Sequence, residues 1–234
     1  MIGEPRHPAL KVLYAPAHRI FGLRTLTLAW FDMLRLRARM RHPRRGHVAP
    51  ASTRLHVGCG TRQVEGWLNV DVIGSEYDVD LQARQLPWTS SSFDTLVSQH
   101  VIEHLELFSE LMPLLREFRR IIEPGGSVWL SCPDMERVCR AYADGQLQEL
   151  LDDRQSRDDY SIQGAPVSQL VNDLFHQYGE HKNLYDLDLL RWALEETGFT
   201  EVRRIAEADL RSAFPEFPQR NDDQQTLYVT ALAP

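Results

Sequence analysis

The stretch Leu55-His56-Val57-Gly58-Cys59-Gly60, followed by Gly66-Trp67-Leu68-Asn69-Val70-Asp71, decides the fold of this chain. Its pattern predicts a strand, a glycine turn, a short connection and a second strand that ends in a carboxylate. Gly58 and Gly60 permit a sharp turn and a close approach to a ligand, because no Cβ intervenes. Asp71 would lie at the carboxyl edge of a parallel sheet, where open α/β folds bind ligands. A carboxylate there can accept hydrogen bonds from a ribose diol.

Strands and helices alternate from Arg54 onward, which favours a parallel sheet. Strands are expected at 54–59, 67–72, 93–98, 127–132, 200–205 and 226–232, a short extended piece at 78–81, and helices from about 101, at 111–122 and at 187–197. Residues 134–183 interrupt this alternation with a helical, acidic pattern and are expected to form an inserted cap over the cleft. The sequence thus predicts one domain at 54–234, preceded by a basic helical extension and linker at 1–53.

The N-terminal extension is basic although the whole chain has a net charge of −7. Residues 17–41 have the apolar spacing of a helix, and arginines from Arg35 to Arg45 follow its apolar stripe. Such a helix either lies on an anionic membrane surface or packs on the domain with its arginines in solvent. We favour packing, because most amphipathic helices are simply half-buried. No nucleic-acid partner is expected.

Three cysteines without a C-x-x-C pair predict no disulfide framework. No signal peptide is evident, and the apolar run at residues 25–31 is too short to span a bilayer. The expected location is the cytoplasm, with peripheral contact at the inner face of the membrane as the alternative.

The ligand of the glycine turn is not expected to be a dinucleotide. The third glycine of the dinucleotide fingerprint is replaced by Gln63, and Asp71 follows Gly58 by only 13 positions. A phosphate-binding loop is also excluded, since no G-K-[ST] follows the glycines.

An ordered series of motifs resembles the class I S-adenosylmethionine-dependent methyltransferases, in particular their type-11-like branch. The series is Gly58-Cys59-Gly60, Gly66-Trp67-Leu68-Asn69-Val70-Asp71, Asp80-Leu81, Leu86-Pro87, Ser92-Phe93-Asp94, His100-Val101-Ile102-Glu103-His104-Leu105, Glu123-Pro124-Gly125-Gly126 and Thr197-Gly198-Phe199. The resemblance implies a Rossmann-like, seven-stranded, mostly parallel α/β sheet with helices on both faces and an antiparallel edge. It also implies S-adenosyl-L-methionine as the cofactor.

The resemblance further implies where the cofactor binds. Gly58 and Gly60 would face its methionine part, and Asp71 would hold the ribose hydroxyls. The remaining predicted cofactor contacts are Cys59, Val72, Asp80, Leu81 and Gln99, of which Asp80 and Leu81 would flank the adenine. Cys59 is equally a packing residue.

Two features depart from the family pattern. His56 stands where many methyltransferases have an acid, so a carboxylate role at that position is lost. Asp71 follows Gly60 by 11 positions, which is too short for a full helix between parallel strands.

The predicted catalytic residues are His100, His181 and Tyr185. A hydroxyl acceptor benefits from a general base, and histidine is best poised near neutral pH. His100 is the first candidate because it follows a strand's carboxyl end; His181 is the second, and Tyr185 could orient an acceptor. Each histidine could instead have a structural role.

His100 to His104 also fits H-x-x-E-H, a zinc-protease pattern, but five-residue motifs often match by accident, so we expect no metal.

The sequence therefore predicts an S-adenosylmethionine-dependent O-methyltransferase acting on a small-molecule or glycan acceptor. The resemblance favours a sugar or glycan precursor, and a quinone or lipid acceptor is the enzymatic alternative. From another class, the chain could be a catalytically silent methyltransferase-like module that docks a membrane or a partner enzyme. The sequence does not predict the oligomeric state.

Overall fold

A computed structural model describes residues 22–41, 49–72, 74–82 and 85–234 of the chain. The beginning of the predicted N-terminal helix, much of the linker, and the arginines Arg44 and Arg45 lie outside the described residues. The fold is built from seven β-strands and seven α-helices among the described residues.

The strands form one sheet. They are β1 (Arg54–Val57), β2 (Leu68–Asp71), β3 (Tyr77–Asp78), β4 (Phe93–Gln99), β5 (Ile122–Pro133), β6 (Thr200–Ile205) and β7 (Thr226–Leu232). Their spatial order is β3-β2-β1-β4-β5-β7-β6, and β7 runs antiparallel to both of its neighbours while the other pairs are parallel. This confirms the predicted seven-stranded, mostly parallel sheet with an antiparallel edge.

The α-helices are α1 (Leu23–Arg41), α2 (Met112–Ile121), α3 (Met135–Ala143), α4 (Leu147–Arg157), α5 (Gln169–His176), α6 (Leu187–Glu196) and α7 (Glu207–Ala213). The prediction of an α-helix from about residue 101 is wrong for the residues before Met112, where α2 begins. A 3₁₀ turn at Ile102–His104 and a π-helix at Leu107–Leu111 precede α2. Pro113 suits only the first turn of α2, because it lacks the N–H that a helix interior needs. The sequence reading also missed α7.

Helices cover both faces of the sheet. On β4, Leu96 belongs to the main core with residues of α2 and α6, whereas the next residue, Val97, belongs to a second cluster with Leu210 of α7. Successive strand residues point to opposite faces, so this alternation places α7 opposite α2 and α6. The prediction of helices on both faces is confirmed.

Helices α3, α4 and α5 share a hydrophobic cluster of their own, which includes Val138, Leu151 and Leu170. The segment leaves the sheet at Asp134, which caps α3 by accepting the Arg137 N–H. It returns at Tyr185, whose carbonyl accepts the Met135 N–H at 2.9 Å. The inserted segment therefore leaves and rejoins the sheet at one point, beside the carboxyl ends of the parallel strands.

Helix α1 packs against the edge of the sheet that contains β3. Leu34 and Ala38 are buried, Arg39 pairs with Asp80, and Arg41 Nη1 lies 2.7 Å from Asp78 Oδ2. This agrees with the packing alternative, although Arg39 and Arg41 are ion-paired with carboxylates at this edge and not simply solvated. Among the described residues, no helix has the length and apolarity that crossing a membrane requires.

Candidate active site

The two glycines of the turn after β1 have different structural roles. Both have positive φ, 69° at Gly58 and 52° at Gly60. A Cβ on Gly58 would lie 2.1 Å from Val101 Cγ2, whereas a Cβ on Gly60 would meet nothing within 4 Å. Gly58 therefore allows the turn to pack on the segment after β4, and Gly60 faces open space in which a ligand can lie.

Asp71, at the end of β2, faces this turn. Its Oδ2 accepts the Gly60 N–H at 2.8 Å, and its Oδ1 accepts the Val72 N–H at 2.6 Å. Burial raises the pKa of Asp71, while these two N–H groups act in the opposite direction. A carboxylate has about four acceptor positions, so both oxygens can still accept hydrogen bonds from a ribose diol. The turn and the carboxylate fit the predicted cofactor.

His56 is a structural residue that ties β1 to β2. Its Nδ1 lies 3.1 Å from Asn69 Oδ1, which also accepts the Val64 N–H at 2.8 Å. Since this amide oxygen is an acceptor, Nδ1 carries the ring proton. Burial lowers the pKa of His56 to about 4, so the ring is neutral at pH 7. Asn69 in turn donates to the Val64 carbonyl and so holds the connection before β2.

The other predicted cofactor contacts lie at the same edge of the sheet. They differ in burial and in whether their polar groups are already hydrogen-bonded. Asp80 is buried, pairs with Arg39 and accepts the Gln82 N–H at 3.0 Å, so its carboxylate is already engaged. Leu81 is half-buried against the main core, and Gln99 is buried at the end of β4. Burial, with the charge of Asp71 second, raises the pKa of the Cys59 thiol to about 12. Cys59 is therefore an unreactive thiol.

A cavity of about 260 Å³ lies between the carboxyl edge of the sheet and the inserted helices. Its wall is dominated by charged and imidazole side chains. They are Arg62, Arg154, Arg157, Arg220, Glu103, Asp158, Asp173, Asp222, His100, His104 and His181. Arg62 follows the glycine turn directly, so the cavity begins beside the cofactor region and extends under the inserted helices.

His100 lies between two carboxylates in this cavity. It has a φ of 56°, its Nε2 is 3.2 Å from Asp222 Oδ2, and its Nδ1 is 3.3 Å from Glu103 Oε1. Burial alone would lower the pKa of His100, but its contacts with the two carboxylates raise it overall. The His100 ring therefore keeps its charge to a higher pH than a free histidine does.

Asp222 was missed by the sequence analysis. It accepts the Tyr228 hydroxyl at 2.5 Å and the Arg220 Nε–H at 3.1 Å in addition to its contact with His100. Against the opposing effect of burial, these partners hold the pKa of Asp222 below its ordinary range. One signal could have located it. An antiparallel strand begins where its parallel neighbours end, so polar residues just before β7 must face the ligand edge.

The other two predicted catalytic residues differ in their placement. His181 lines the cavity, and its Nδ1 lies 2.7 Å from the Leu174 carbonyl, while burial lowers its pKa. Tyr185 is fully buried in the main core and does not line the cavity. The expectation that Tyr185 orients an acceptor therefore has no support in this geometry, because core packing keeps its hydroxyl from the cavity.

The H-x-x-E-H pattern does not form a helical metal motif. Ile102–His104 is a 3₁₀ turn, so His100 and His104 do not face each other across one turn of an α-helix. His100 instead faces Asp222, and the His104 ring lies 4.8 Å from the ring of His181, between centroids. The zinc-protease interpretation is not supported.

One family model matches part of this chain, and several solved structures are similar to it. Residues 55–130 match the family described as Methyltransferase domain, and no curated protein matches the sequence. A possible exported protein of Bordetella parapertussis is 17% identical, with 100% of this chain and 75% of that chain covered and a TM-score of 0.45.

Two further structures are similar. An S-adenosylmethionine-dependent methyltransferase of Mesorhizobium loti is 18% identical, with 76% of this chain and 89% of that chain covered and a TM-score of 0.42. A possible histamine N-methyltransferase of Thermotoga maritima is 14% identical, with 91% of this chain and 96% of that chain covered and a TM-score of 0.44. Residues 55–130 match the methyltransferase domain family, and the strand order is that of the class I methyltransferase fold, whose cofactor is S-adenosyl-L-methionine.

Proposed function

We propose that the chain binds S-adenosyl-L-methionine at the glycine turn and transfers its methyl group to a hydroxyl of an anionic small molecule. A sugar or glycan precursor with a carboxylate or phosphate is the favoured acceptor class. The observation that carries this proposal is the presence of Arg62 and Arg154, for which no carboxylate partner is found among the described residues, in a cavity that begins beside the glycine turn and reaches His100 and the inserted helices.

The cofactor would lie along the carboxyl edge of β1, β2 and β4. Its methionine part would lie against Gly58 to Gly60, and its ribose hydroxyls against Asp71. Cys59, Val72, Asp80, Leu81 and Gln99 would complete the surrounding surface. Because the sulfonium supplies an already activated methyl group, this chain's main contribution would be to hold the acceptor in line with it.

The cavity wall contains four arginines and four carboxylates, so the support for an anionic acceptor comes from the arginines that have no described carboxylate partner. Among the described residues, neither Arg62 nor Arg154 is paired with a carboxylate, and the Arg154 guanidinium lies 4.1 Å over the Tyr160 ring. A planar guanidinium held by an aromatic ring is well suited to a carboxylate or phosphate group. Arg157 and Arg220, in contrast, are already paired with Asp153 and Asp222.

His100 is the proposed general base, and Asp222 positions it. Only the neutral ring can act as a base, so Asp222 would hold the Nε2–H group, and the acceptor hydroxyl would replace Glu103 at Nδ1, the nitrogen that takes the proton. His100→Ala should lower kcat by ~10²-fold or more with unchanged affinity for the cofactor, the usual contribution of a general base. A near-normal rate would reject His100 as the base.

Calorimetric titration with S-adenosyl-L-methionine tests the enzyme against the silent module. Saturable binding, with competition by S-adenosylhomocysteine, is expected, and no binding would reject the enzyme.

The acceptor class is tested by methyl transfer to paired neutral and acidic sugars. Arg154→Met should raise KM for the acidic sugar, while Arg140→Met, an exposed arginine of α3 outside the cavity wall, should not. Equal use of neutral and acidic sugars would contradict the anionic acceptor.

Peripheral membrane contact through α1 is a second proposal. Leu28, Met33, Leu36 and Met40 are exposed large apolar side chains on this helix. With the neighbouring arginines they would suit an anionic lipid surface. Sedimentation with vesicles that contain phosphatidylglycerol should be lost in a Leu36→Glu, Met40→Glu variant. Unchanged sedimentation of that variant, or no sedimentation of the parent chain, would reject the contact.

A further inference from the structure

Three side chains with metal-binding atoms converge on the cap side of the cavity. One ligand atom from each of Glu103, His104 and His181 lies within 4.8 Å of the others. Glu103 is only 1% exposed, and among the described residues neither of its carboxylate oxygens accepts a hydrogen bond of good geometry, although Oε1 lies 3.3 Å from His100 Nδ1. The Nε2 atom of His181 is also buried without a partner. Buried polar atoms are costly when they are unsatisfied, and a cation between these residues would satisfy them together.

The hydrogen bonds of the two histidines prepare their other nitrogens for a cation. His181 Nδ1 lies 2.7 Å from the Leu174 carbonyl, and His104 Nδ1 lies 3.3 Å from the Glu180 carbonyl. A carbonyl oxygen can only accept, so each Nδ1 carries the proton and each Nε2 keeps its lone pair. Metal-binding histidines are typically oriented in this way by an outer carbonyl or carboxylate.

The backbone holds the two segments in register without a metal. The N–H groups of Lys182 and Asn183 donate to the Glu103 carbonyl at 2.8 Å and 3.2 Å. The Asn183 side chain also donates to the Leu105 carbonyl at 2.6 Å. His181 is therefore fixed beside Glu103 and His104 by its neighbours in the chain, and binding would not have to order a loop.

We infer that Glu103, His104 and His181 bind one divalent transition-metal ion of the zinc class. Two imidazole nitrogens and one carboxylate oxygen suit this class, whereas Mg²⁺ and Ca²⁺ prefer sites made of oxygen. The competing role for Glu103 is to serve only as the ion-pair partner of His100, whose Nδ1 is 3.3 Å from Oε1. That contact leaves the second carboxylate oxygen and His181 Nε2 unexplained.

Three protein ligands leave a coordination position for water or another ligand, and all three residues line the acceptor cavity. This consequence rests on the proposed function. An acceptor hydroxyl bound to the ion would lose its proton more readily, and His100 would take that proton. The acceptor oxygen would then form its bond to the methyl carbon as the carbon–sulfur bond breaks, leaving the neutral thioether S-adenosylhomocysteine.

Metal binding to the full chain tests the site without cofactor or acceptor. After treatment with a chelator, the protein is titrated with Zn²⁺ by calorimetry and with Co²⁺ by visible absorption. We expect one ion per chain, and His104→Ala and His181→Ala should each weaken its binding by ~100-fold or more, since even outer-shell partners contribute ~10–100-fold. His176→Ala, which removes an exposed histidine nearby, should leave the affinity unchanged.

No binding, or binding that survives both variants, would overturn the inference. If His181→Ala does not fold, as judged by circular dichroism, the half-buried His104 decides the question. A separate titration with S-adenosyl-L-methionine distinguishes the two proposals. Metal binding without cofactor binding would support this site and reject the methyltransferase. Cofactor binding without metal binding would support the methyltransferase and overturn the site.

Discussion

Asp222 Oδ2 lies 3.2 Å from His100 Nε2, although 122 positions separate the two residues in the chain. His100 follows β4 and Asp222 precedes β7, and β5 separates these strands in the sheet. The contact therefore depends on the antiparallel insertion of β7 between β5 and β6, which brings its beginning to the ligand edge.

Replacing Asp222 with Asn should lower kcat by at least ~10-fold, a part of the ~10²–10⁴-fold that a general base contributes. Asn keeps an acceptor for the Tyr228 hydroxyl but removes the charge beside His100. Steady-state kinetics and cofactor titration should show a loss in kcat with little change in cofactor affinity. The control is Asp223→Asn. Asp223 Oδ1 accepts the Glu207 N–H at the start of α7, and Asp223 does not contact His100. Equal losses in the two variants would argue against a positioning role for Asp222.

Alanine at Gly58 and at Gly60 should have different effects. Gly58→Ala forces a clash with Val101 in addition to a positive φ and should cost about 2–5 kcal/mol of stability. Gly60→Ala meets no protein atom, so it should cost about 1–2 kcal/mol but weaken cofactor binding. Urea denaturation and calorimetric titration measure the two quantities. Val101→Ala should recover part of the Gly58→Ala loss and none of the Gly60→Ala loss. Similar denaturation midpoints for the two glycine variants would contradict this distinction.

The local parts of this architecture were predictable from the sequence, because their causes are local. Alternating apolar residues defined β1, β2 and β4, and the short connection to Asp71 correctly excluded a helix between β1 and β2. The missed features depend on contacts between distant segments. The pairing of Asp222 with His100 requires the strand order, and the approach of His181 to Glu103 requires the path of the inserted helices.

His56 shows the same limit in the first strand. The sequence marked it as a departure from the family pattern but gave no reason for it. The reason is the amide of Asn69 on the neighbouring strand, together with the Phe217 ring, whose centroid is 4.9 Å away. Neither Asn69 nor Phe217 belongs to β1, so the sequence of that strand alone could not explain His56.

Arg39 should stabilise the fold through Asp80. The Asp80 side chain is 2% exposed, so removing its cationic partner leaves a buried carboxylate with the Gln82 N–H as its remaining described hydrogen bond. Arg39→Met should therefore cost about 1–3 kcal/mol, less than the ~3–5 kcal/mol of a fully buried pair, because Arg39 itself is half-exposed. Arg37→Met, an exposed change on the same helix, should stay within about 0.5 kcal/mol.

A second substitution separates charge from packing at this position. In the Arg39→Met background, Asp80→Asn removes the unpaired charge and should restore part of the lost stability. If the double variant is no more stable than Arg39→Met alone, the unpaired charge of Asp80 is not the cause of the loss. Both measurements are urea denaturation midpoints at one pH.

His56 should make the stability of the fold depend on pH in mildly acidic solution. Its pKa falls from 6.5 when exposed to about 4 in the folded protein, so the unfolded chain binds a proton more readily. The stability associated with a neutral His56 is therefore fully present above about pH 6.5 and is lost as the pH falls through about 4. The expected loss between pH 7.5 and pH 4 is about 3 kcal/mol.

His56→Gln keeps a donor for Asn69 but does not titrate, so its unfolding free energy should fall by that much less over the same range. His176→Gln, at an exposed histidine, should retain the parent pH dependence. An unchanged pH dependence in His56→Gln would show that His56 has the same pKa in the folded and the unfolded chain, in conflict with its burial against Asn69 and Phe217.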